Sequence, residues 1–173
     1  VGSGGVIYNE KGTVNLEGQE NSSYYGTSLV IDNNHSENNG GVIYNNQGTV
    51  NLDRNSMIQN NIADGNGGVI YNLNFSDVNI NGTHGFFHNQ AHGDGGVIYN
   101  TLMGNVKIEG ATSFSGNGAA NGGHIYNGGN VDVISHTGNS IYFEGGNAYG
   151  QGGAIYNKNV LNLDVENNSG IYF

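Results

Sequence analysis

Three histidines lie close together near the middle of the sequence, at His84, His88 and His92. On an α-helix, residues spaced by four share one face, and histidines arranged in this way can bind zinc. The surrounding residues instead predict strand and turn, where successive side chains alternate between two faces and this spacing creates no reliable common site. We therefore expect exposed turn histidines and no metal site, with His92 close to Asp64 of the neighbouring repeat.

Pairs of carboxylates could also do chemistry, because a glycosidase needs two of them roughly 5 to 9.5 Å apart. Asp64 and Asp94 fall near the same turn of neighbouring repeats, but they stand three residues and one residue before their Gly-Gly pairs. A polysaccharide lyase would need a base, usually Lys or Arg, and the chain has only four basic residues. We therefore predict no catalytic residues and keep a carbohydrate-active β-helix enzyme as an alternative.

The turns before the Gly-Gly pairs carry oxygen atoms that a hard cation such as Ca²⁺ could bind. Examples are Asp64-Gly65-Asn66, Gly93-Asp94 and Asn38-Asn39. The tandem nonapeptide of calcium-binding β-helices is absent from the sequence. We therefore predict no cofactor and keep calcium as an alternative.

Tyrosines are the most regular candidates for a binding surface, because six of them occupy one place in a recurring hexapeptide, Gly-Gly-x-Ile-Tyr-Asn. The six are Tyr8, Tyr44, Tyr71, Tyr99, Tyr126 and Tyr156. A row of outward tyrosines would form an exposed aromatic ladder, although stacked rings also stabilise a sheet whatever its function. The first repeat is longer than later ones within residues 17–27, so Tyr24 and Tyr25 are a second candidate, on an inserted loop.

The hexapeptide sets the organisation of the chain. Its copies start 36, 27, 28, 27 and 30 residues apart, and repeats of this length build solenoids. Each copy is followed by two aliphatic residues spaced i, i+2, as in Val50 and Leu52, and then by an apolar residue three before an Asn, as in Phe86 and Asn89. Three short strands per repeat predict a right-handed, three-sided parallel β-helix of about six coils.

Variation between the copies indicates which side chains face inward. Ile is constant, whereas the preceding position holds Val four times, then His124 and Ala154. We therefore predict that the Ile row is internal and that the Tyr row points outward. The Asn after each Tyr, and the row that includes Asn34, Asn61, Asn89, Asn117 and Asn147, are predicted to form stacked amide ladders at the turns.

Composition excludes several classes of protein. The formal net charge is −10, which argues against nucleic-acid or anionic-membrane partners. No apolar run approaches the roughly 18 residues of a membrane-spanning helix, so we expect no membrane insertion by this segment. The 32 Gly and 32 Asn residues disfavour helices. We interpret residues 1–173 as one β-helix segment cut from a longer surface protein.

The repeat is similar to one known family. Residues 114–127 and 152–157 resemble the GGA[I/L/V] and FxxN motifs of the chlamydial polymorphic membrane protein repeat, which also occurs in bacterial autotransporter passengers and surface adhesins. The resemblance implies a non-catalytic, extracellular or cell-surface stalk that binds a receptor on a host or neighbouring cell, or associates with itself. A self-assembling filament or matrix protein is the alternative. Lateral association through the tyrosines and end-to-end stacking are both possible routes of homo-association.

Overall fold

A computed structural model describes residues 2–19 and 29–173. These residues form twenty strands, numbered here in chain order, and no helix. The high content of Gly and Asn agrees with this, because both residues are poor helix formers. Tyr24 and Tyr25 lie outside the described residues.

The strands form three parallel sheets, one for each side of the coil. The first sheet contains β1 (Ile7–Glu10), β5 (Ile43–Asn46), β8 (Ile70–Leu73), β11 (Ile98–Asn100), β14 (Ile125–Asn127) and β18 (Ile155–Asn157). The second contains β2 (Thr13–Glu17), β3 (Leu29–Asp32), β6 (Thr49–Gln59), β9 (Asp77–Phe87), β12 (Asn105–Ser115), β15 (Asn130–Ser135), β16 (Ser140–Glu144), β19 (Val160–Val165) and β20 (Gly170–Tyr172). The third contains the two-residue strands β4 (His35–Ser36), β7 (Ile62–Ala63), β10 (Gln90–Ala91), β13 (Gly118–Ala119) and β17 (Asn147–Ala148).

Strand pairing aligns each residue of the hexapeptide with its own copy in the next coil. Ile7 pairs with Ile43 and Tyr8 with Tyr44, and the same register continues to β18. Six strands stacked in this way span about five turns. The prediction of a three-sided parallel β-helix is confirmed.

The second sheet differs from the prediction of two separate strands. In the second, third and fourth coils those strands merge into one strand of eleven residues. Each bends at one place, where Arg54, Gly82 and Gly110 stand in register with φ of 67°, 133° and 82°. The fifth and sixth coils are interrupted by a turn after β15 and β19, and this confirms the insertion predicted there and its copy in the sixth coil.

The interior is apolar and runs along the whole axis. Phe86, Phe114 and Phe143 are fully buried and stack with centroid separations of 4.9 and 4.8 Å. The Ile row is buried as predicted, with Ile43 and Ile98 at 1% and 0% exposure. Full burial of one such aliphatic side chain contributes about 1.5–3 kcal/mol.

In the second to fifth coils the position before Ile is also buried, contrary to the prediction that only one of the two faces inward, whereas Val6 of the first coil is 53% exposed. Val42 is 0% exposed beside Ile43 at 1%. The cause is a corner in the backbone, because the amides of Val42 and Ile43 both donate to the Val69 carbonyl, at 3.0 and 2.8 Å. The coils stay in one-to-one register across this corner, and the turn points two consecutive side chains into the core.

Two amide ladders line the corners, and both were predicted. The first joins the Asn residues that follow the tyrosines, with Nδ2 of each Asn donating to Oδ1 of the next at 2.7–3.0 Å. The second joins Asn34, Asn61, Asn89 and Asn117 in the same way, at 2.9–3.1 Å. Most of these side chains are buried, so the ladders satisfy polar groups that would otherwise be costly in an apolar interior.

The prediction that Asn147 is the fifth member of the second ladder is wrong. Asn147 pairs with Gly118 in the third sheet, which leaves Gly146 at the ladder position next to Asn117. Nδ2 of Asn117 lies instead 3.0 Å from Nδ1 of His124. The ladder therefore ends on a buried imidazole of its own coil.

Residues just before this second ladder adopt the left-handed backbone conformation. They are Asn33, Asn60, His88, Gly116 and Gly145, with φ between 53° and 65°. Asn and Gly tolerate this conformation best, which explains why they hold four of the five places. A Cβ atom at Gly116 would lie 2.6 Å from the ring of His88, so the imidazole rests on the glycine of the next coil.

Candidate interaction surface

The six tyrosines form one row on the outside of the first sheet, called the tyrosine row below. Each Tyr lies between an inward Ile and an inward Asn of the same strand, so alternation turns it outward. Ring centroids of successive tyrosines are 4.6 to 5.3 Å apart. The row is therefore about 25 Å long, and the outward placement predicted from the sequence is observed.

Stacking decides which part of each ring the surface presents. The first five rings are nearly parallel, with interplanar angles of 4° to 15°, whereas Tyr156 is tilted by 50° to Tyr126. Ring faces within the row are therefore covered by their neighbours, and the ring edges and hydroxyls point to solvent. Tyr8, at the end of the row, is the most open at 57% exposure.

The hydroxyls of Tyr44, Tyr71 and Tyr99 remain protonated over a wide pH range. Burial, followed by the charges of Tyr126, Tyr71 and Asp94, raises the pKa of Tyr99 to about 12. Burial is also the leading cause that raises the pKa of Tyr71 and of Tyr44. These three tyrosines consequently offer neutral hydroxyls that can both donate and accept hydrogen bonds.

The residues that follow the Tyr-Asn pair on each coil lie along one side of the row, called the carboxyl-side flank below. Glu10 belongs to it at the first coil, next to Tyr44, whose pKa it helps to raise after burial and the neighbouring tyrosines. Lys158 belongs to it at the last coil and lines a groove of about 340 Å³ together with Tyr99, Tyr126 and Leu102. Lys11 follows Glu10 and is exposed as well, so the first end of this flank carries one charge of each sign and the last end carries one positive charge.

The middle of the carboxyl-side flank is apolar. Phe75 is 70% exposed on the third coil, and Leu102 and Met103 are 65% and 50% exposed on the fourth. These turn residues follow the strands that carry Tyr71 and Tyr99. Sequence reasoning missed them because they belong to no repeated position, although a large apolar residue in a turn was a visible signal.

The turns before the Gly-Gly pairs form the opposite, amino-side flank, and it is polar. Backbone amides of Asn66, Asp94 and Asn121 each donate to Oδ1 of the residue one coil earlier, at 2.8, 2.8 and 3.0 Å. Asp94 accepts a further hydrogen bond from Nδ2 of Asn121 at 2.8 Å. The oxygens considered for calcium therefore serve as links between coils.

The three histidines do not come together. His84 is 1% exposed, so the prediction of an exposed turn histidine is wrong there; it points into the core, where Nδ1 lies 2.7 Å from Oγ of Ser56. Burial lowers the pKa of His84, which favours the neutral ring. His88 and His92 are exposed, and Nδ1 of His92 lies 3.3 Å from Oδ1 of Asp64, as the alignment of repeats predicted.

Asp64 is also within 3.0 Å of Nε2 of His35 from the preceding coil. One carboxylate thus bridges two exposed imidazoles on the surface of the third sheet. Residues 2–19 and 29–173 contain no group of three His, Cys, Asp or Glu side chains arranged to hold a metal ion.

His136 links three coils at the opposite side of the solenoid. Its Nδ1 lies 2.9 Å from Glu166 and its Nε2 lies 3.0 Å from Glu109, while Lys107 is 2.9 Å from the same Glu109. Hydrogen bonds to Glu166 and then Glu109 raise the pKa of His136. This group holds the fourth, fifth and sixth coils together on the outer face of the second sheet.

Within the described part of the chain, no helix is long and apolar enough to cross a membrane. No curated protein and no solved structure matches the chain. Three segments, residues 28–46, 55–73 and 86–101, match the Chlamydia polymorphic membrane protein repeat, and together they cover about a third of the sequence. Each segment contains one corner of the Asn33 type and one strand of the third sheet, and it ends at or just after the strand that carries Tyr44, Tyr71 or Tyr99. The resemblance predicted from the sequence is thereby confirmed, and the chain carries the Chlamydia polymorphic membrane protein repeat at these three places.

Proposed function

We propose that this chain is a non-catalytic segment of a bacterial cell-surface protein, and that it serves as a stalk or adhesin which binds a neighbouring surface or a second copy of itself through the tyrosine row. The observation that carries the proposal is the row itself, six outward tyrosines in register over about 25 Å. Exposed Phe75 and Leu102 lie beside it. A continuous surface of this kind is typical of an interaction site rather than of scattered surface residues.

Two further features support a non-catalytic role outside the cell. The repeat that matches residues 28–46, 55–73 and 86–101 is that of a membrane protein family, and a β-solenoid is a rigid rod that can present a surface at a distance. Asp64 is engaged by His35 and His92, and Asp94 by Asn121. Neither carboxylate therefore resembles a free catalytic acid or base.

Removal of the tyrosine row from the middle coils tests the proposal. Tyr71→Ser, Tyr99→Ser and Tyr126→Ser combined should weaken self-association in sedimentation velocity and binding to cells in a plate assay. The matched control is Asn51→Ser, Asn79→Ser and Asn105→Ser, which changes three outward side chains of the second sheet in the same region.

Far-UV circular dichroism must show the same strand content in both triple variants. Equal association and equal cell binding by the two variants would refute a role for the row. Loss of the fold in the tyrosine variant alone would show that the tyrosines serve only to hold the sheet.

A further inference from the structure

A surface made of ring edges and hydroxyls selects a partner with the same spacing. Covered ring faces leave no aromatic platform on which a flat ligand could stack along the middle of the row. The tyrosine rings repeat with centroids 4.6 to 5.3 Å apart, close to the spacing imposed by strand stacking. A second β-solenoid of the same kind has this period, so donors and acceptors can stay in step along the full length of two facing rows.

The carboxyl-side flank determines which residues would meet in each orientation of two copies. Glu10 and Lys11 lie at the first coil and Lys158 at the last, and all three side chains are exposed. If two rows face each other with their axes antiparallel, a two-fold axis perpendicular to the rods brings each flank against the same flank of the other copy. Glu10 of each copy then faces Lys158 of its partner, and the pair occurs twice.

The apolar residues occupy the place where this two-fold axis would pass. Phe75 and Leu102 belong to the third and fourth of six coils, so the antiparallel arrangement places Phe75 of one copy opposite Leu102 of the other. A parallel arrangement would instead bring the carboxyl-side flank against the amino-side flank. Phe75 and Leu102 would then face polar turn residues such as Asn66 and Asp94.

We propose that two copies of this chain pair laterally and antiparallel through the tyrosine row, with the two-fold axis between Tyr71 and Tyr99. This inference rests on the proposed self-association and names its partner and geometry. The contact is isologous, because one surface meets its own copy. A row about 25 Å long and one strand-segment wide is smaller than a standard stable interface, so the pair forms and separates readily and gains strength when many coils take part.

Site-directed cross-linking tests the orientation. The chain contains no cysteine, so each introduced thiol is unique. Protein carrying Glu10→Cys is mixed with protein carrying Lys158→Cys and treated with a short thiol-specific cross-linker. A covalent dimer is expected in the mixture and in neither protein alone, because like positions lie a full row apart in the antiparallel pair. The control mixture carries Asn15→Cys and Asn162→Cys, which are exposed at the same two ends of the second sheet, and should give no dimer.

Charge exchange gives an independent measurement by sedimentation equilibrium. Glu10→Lys should weaken the dimer roughly two- to ten-fold, because it places like charges at both ends. Adding Lys158→Glu to the same chain should restore at least the wild-type affinity, because the new carboxylate then faces positive charges at positions 10 and 11. In a parallel pair the second substitution would not compensate for the first.

The outcomes separate this inference from the proposed function. Dimers that depend on the tyrosines but form no Glu10→Cys to Lys158→Cys cross-link would overturn the antiparallel geometry and leave self-association intact. A wild-type chain that stays monomeric at high concentration would overturn both. Tyrosine-dependent binding to an extended glycan, without dimers, would overturn the geometry and assign the row to a different partner.

Discussion

Asn100 offers the sharpest test of what holds the coils in register. The side chain is fully buried. Its two Nδ2 hydrogens are shared among Oδ1 of Asn127 at 3.0 Å and the carbonyls of Gly104 and Asn130 at 3.0 and 3.1 Å, while its Oδ1 accepts from Asn72 at 2.9 Å. The substitution Asn100→Ala removes the equivalent of three hydrogen bonds and leaves their partners in the buried interior.

The size of the effect follows from these contacts. A hydrogen bond contributes about 0.5–1.5 kcal/mol net, so the loss of three should lower the free energy of unfolding by about 1.5–4.5 kcal/mol. Asn79 provides a matched control, because it belongs to an amide ladder on the outer face and donates one hydrogen bond, to Asn51 at 2.9 Å. Asn79→Ala should cost about 0.5–1.5 kcal/mol at most.

Urea unfolding followed by circular dichroism measures both variants. The midpoint of the Asn100→Ala protein should fall by several times the shift of the Asn79→Ala protein, with similar dependence of the free energy on urea concentration. Equal shifts would refute the reasoning, because the buried ladder would then contribute no more than a solvent-facing one.

Three further predictions concern the core and two histidines. Ile98→Asp buries an unpaired carboxylate at a fully buried position and should unfold the middle coils, so a cooperative melt at the wild-type temperature would contradict it. Burial lowers the pKa of His124 from 6.5 to about 4. As the pH falls, the unfolded chain therefore takes up a proton at this histidine before the folded chain does. About 3 kcal/mol of stability is lost as the pH falls between these two values, at about 1.4 kcal/mol per pKa unit. His124→Val, which copies four other coils, should flatten the pH profile of the urea midpoint, and an unchanged profile would exclude His124 as its cause. The pH dependence of stability from His136 has the opposite sign, because hydrogen bonds to Glu166 and Glu109 raise its pKa. The contribution of His136 to stability is complete below the pKa of the unfolded chain and is lost as the pH rises through the pKa of the folded chain. His136→Gln should therefore destabilise the chain in mild acid and have little effect at alkaline pH.

The repeated positions made most of the fold predictable from the sequence. Six copies of Ile, Tyr and Asn at nearly constant period predicted parallel coils in register, and the pairing of Ile7 with Ile43 and Tyr8 with Tyr44 follows that alignment. Parallel stacking makes this possible, because each residue meets its own copy and repetition alone then specifies the pairing. The insertion in the fifth coil was visible for the same reason, as a departure from the period.

Two of the errors arose where the backbone leaves regular alternation. Val42 is internal because the amides of Val42 and Ile43 both donate to the Val69 carbonyl, and no sequence period reports a corner of this kind. Asn147 lies outside the ladder for another reason, because the fifth coil keeps the spacing of the fourth and has Gly146 at the ladder position. His84 was placed in a turn, whereas the long strand β9 continues past its bend and carries the ring into the core beside Ser56.

Only part of the proposed surface could be predicted from the sequence. Outward tyrosines follow from alternation, but the orientation of their rings follows from packing. Because the rings stack at about 5 Å, their faces are covered by neighbouring rings. A partner can therefore contact only the hydroxyls, the ring edges and the flanking residues that do not repeat. Glu10, Phe75, Leu102 and Lys158 interrupt the repeat along one flank, so they are the residues that can give a uniform ladder a direction.

Fold and surface also depend on one another through a single strand. Tyr99 points outward between Ile98 and Asn100, both of which are fully buried, so the amide ladder inside fixes the spacing of the hydroxyls outside. A change at Asn100 that loosens one coil would therefore disturb the spacing between Tyr71, Tyr99 and Tyr126 and weaken association without touching the surface. A change at Lys158 leaves every interior contact in place, because this side chain lies on the flank. Surface substitutions should therefore alter the orientation of pairing at constant stability, whereas ladder substitutions should lower stability and association together.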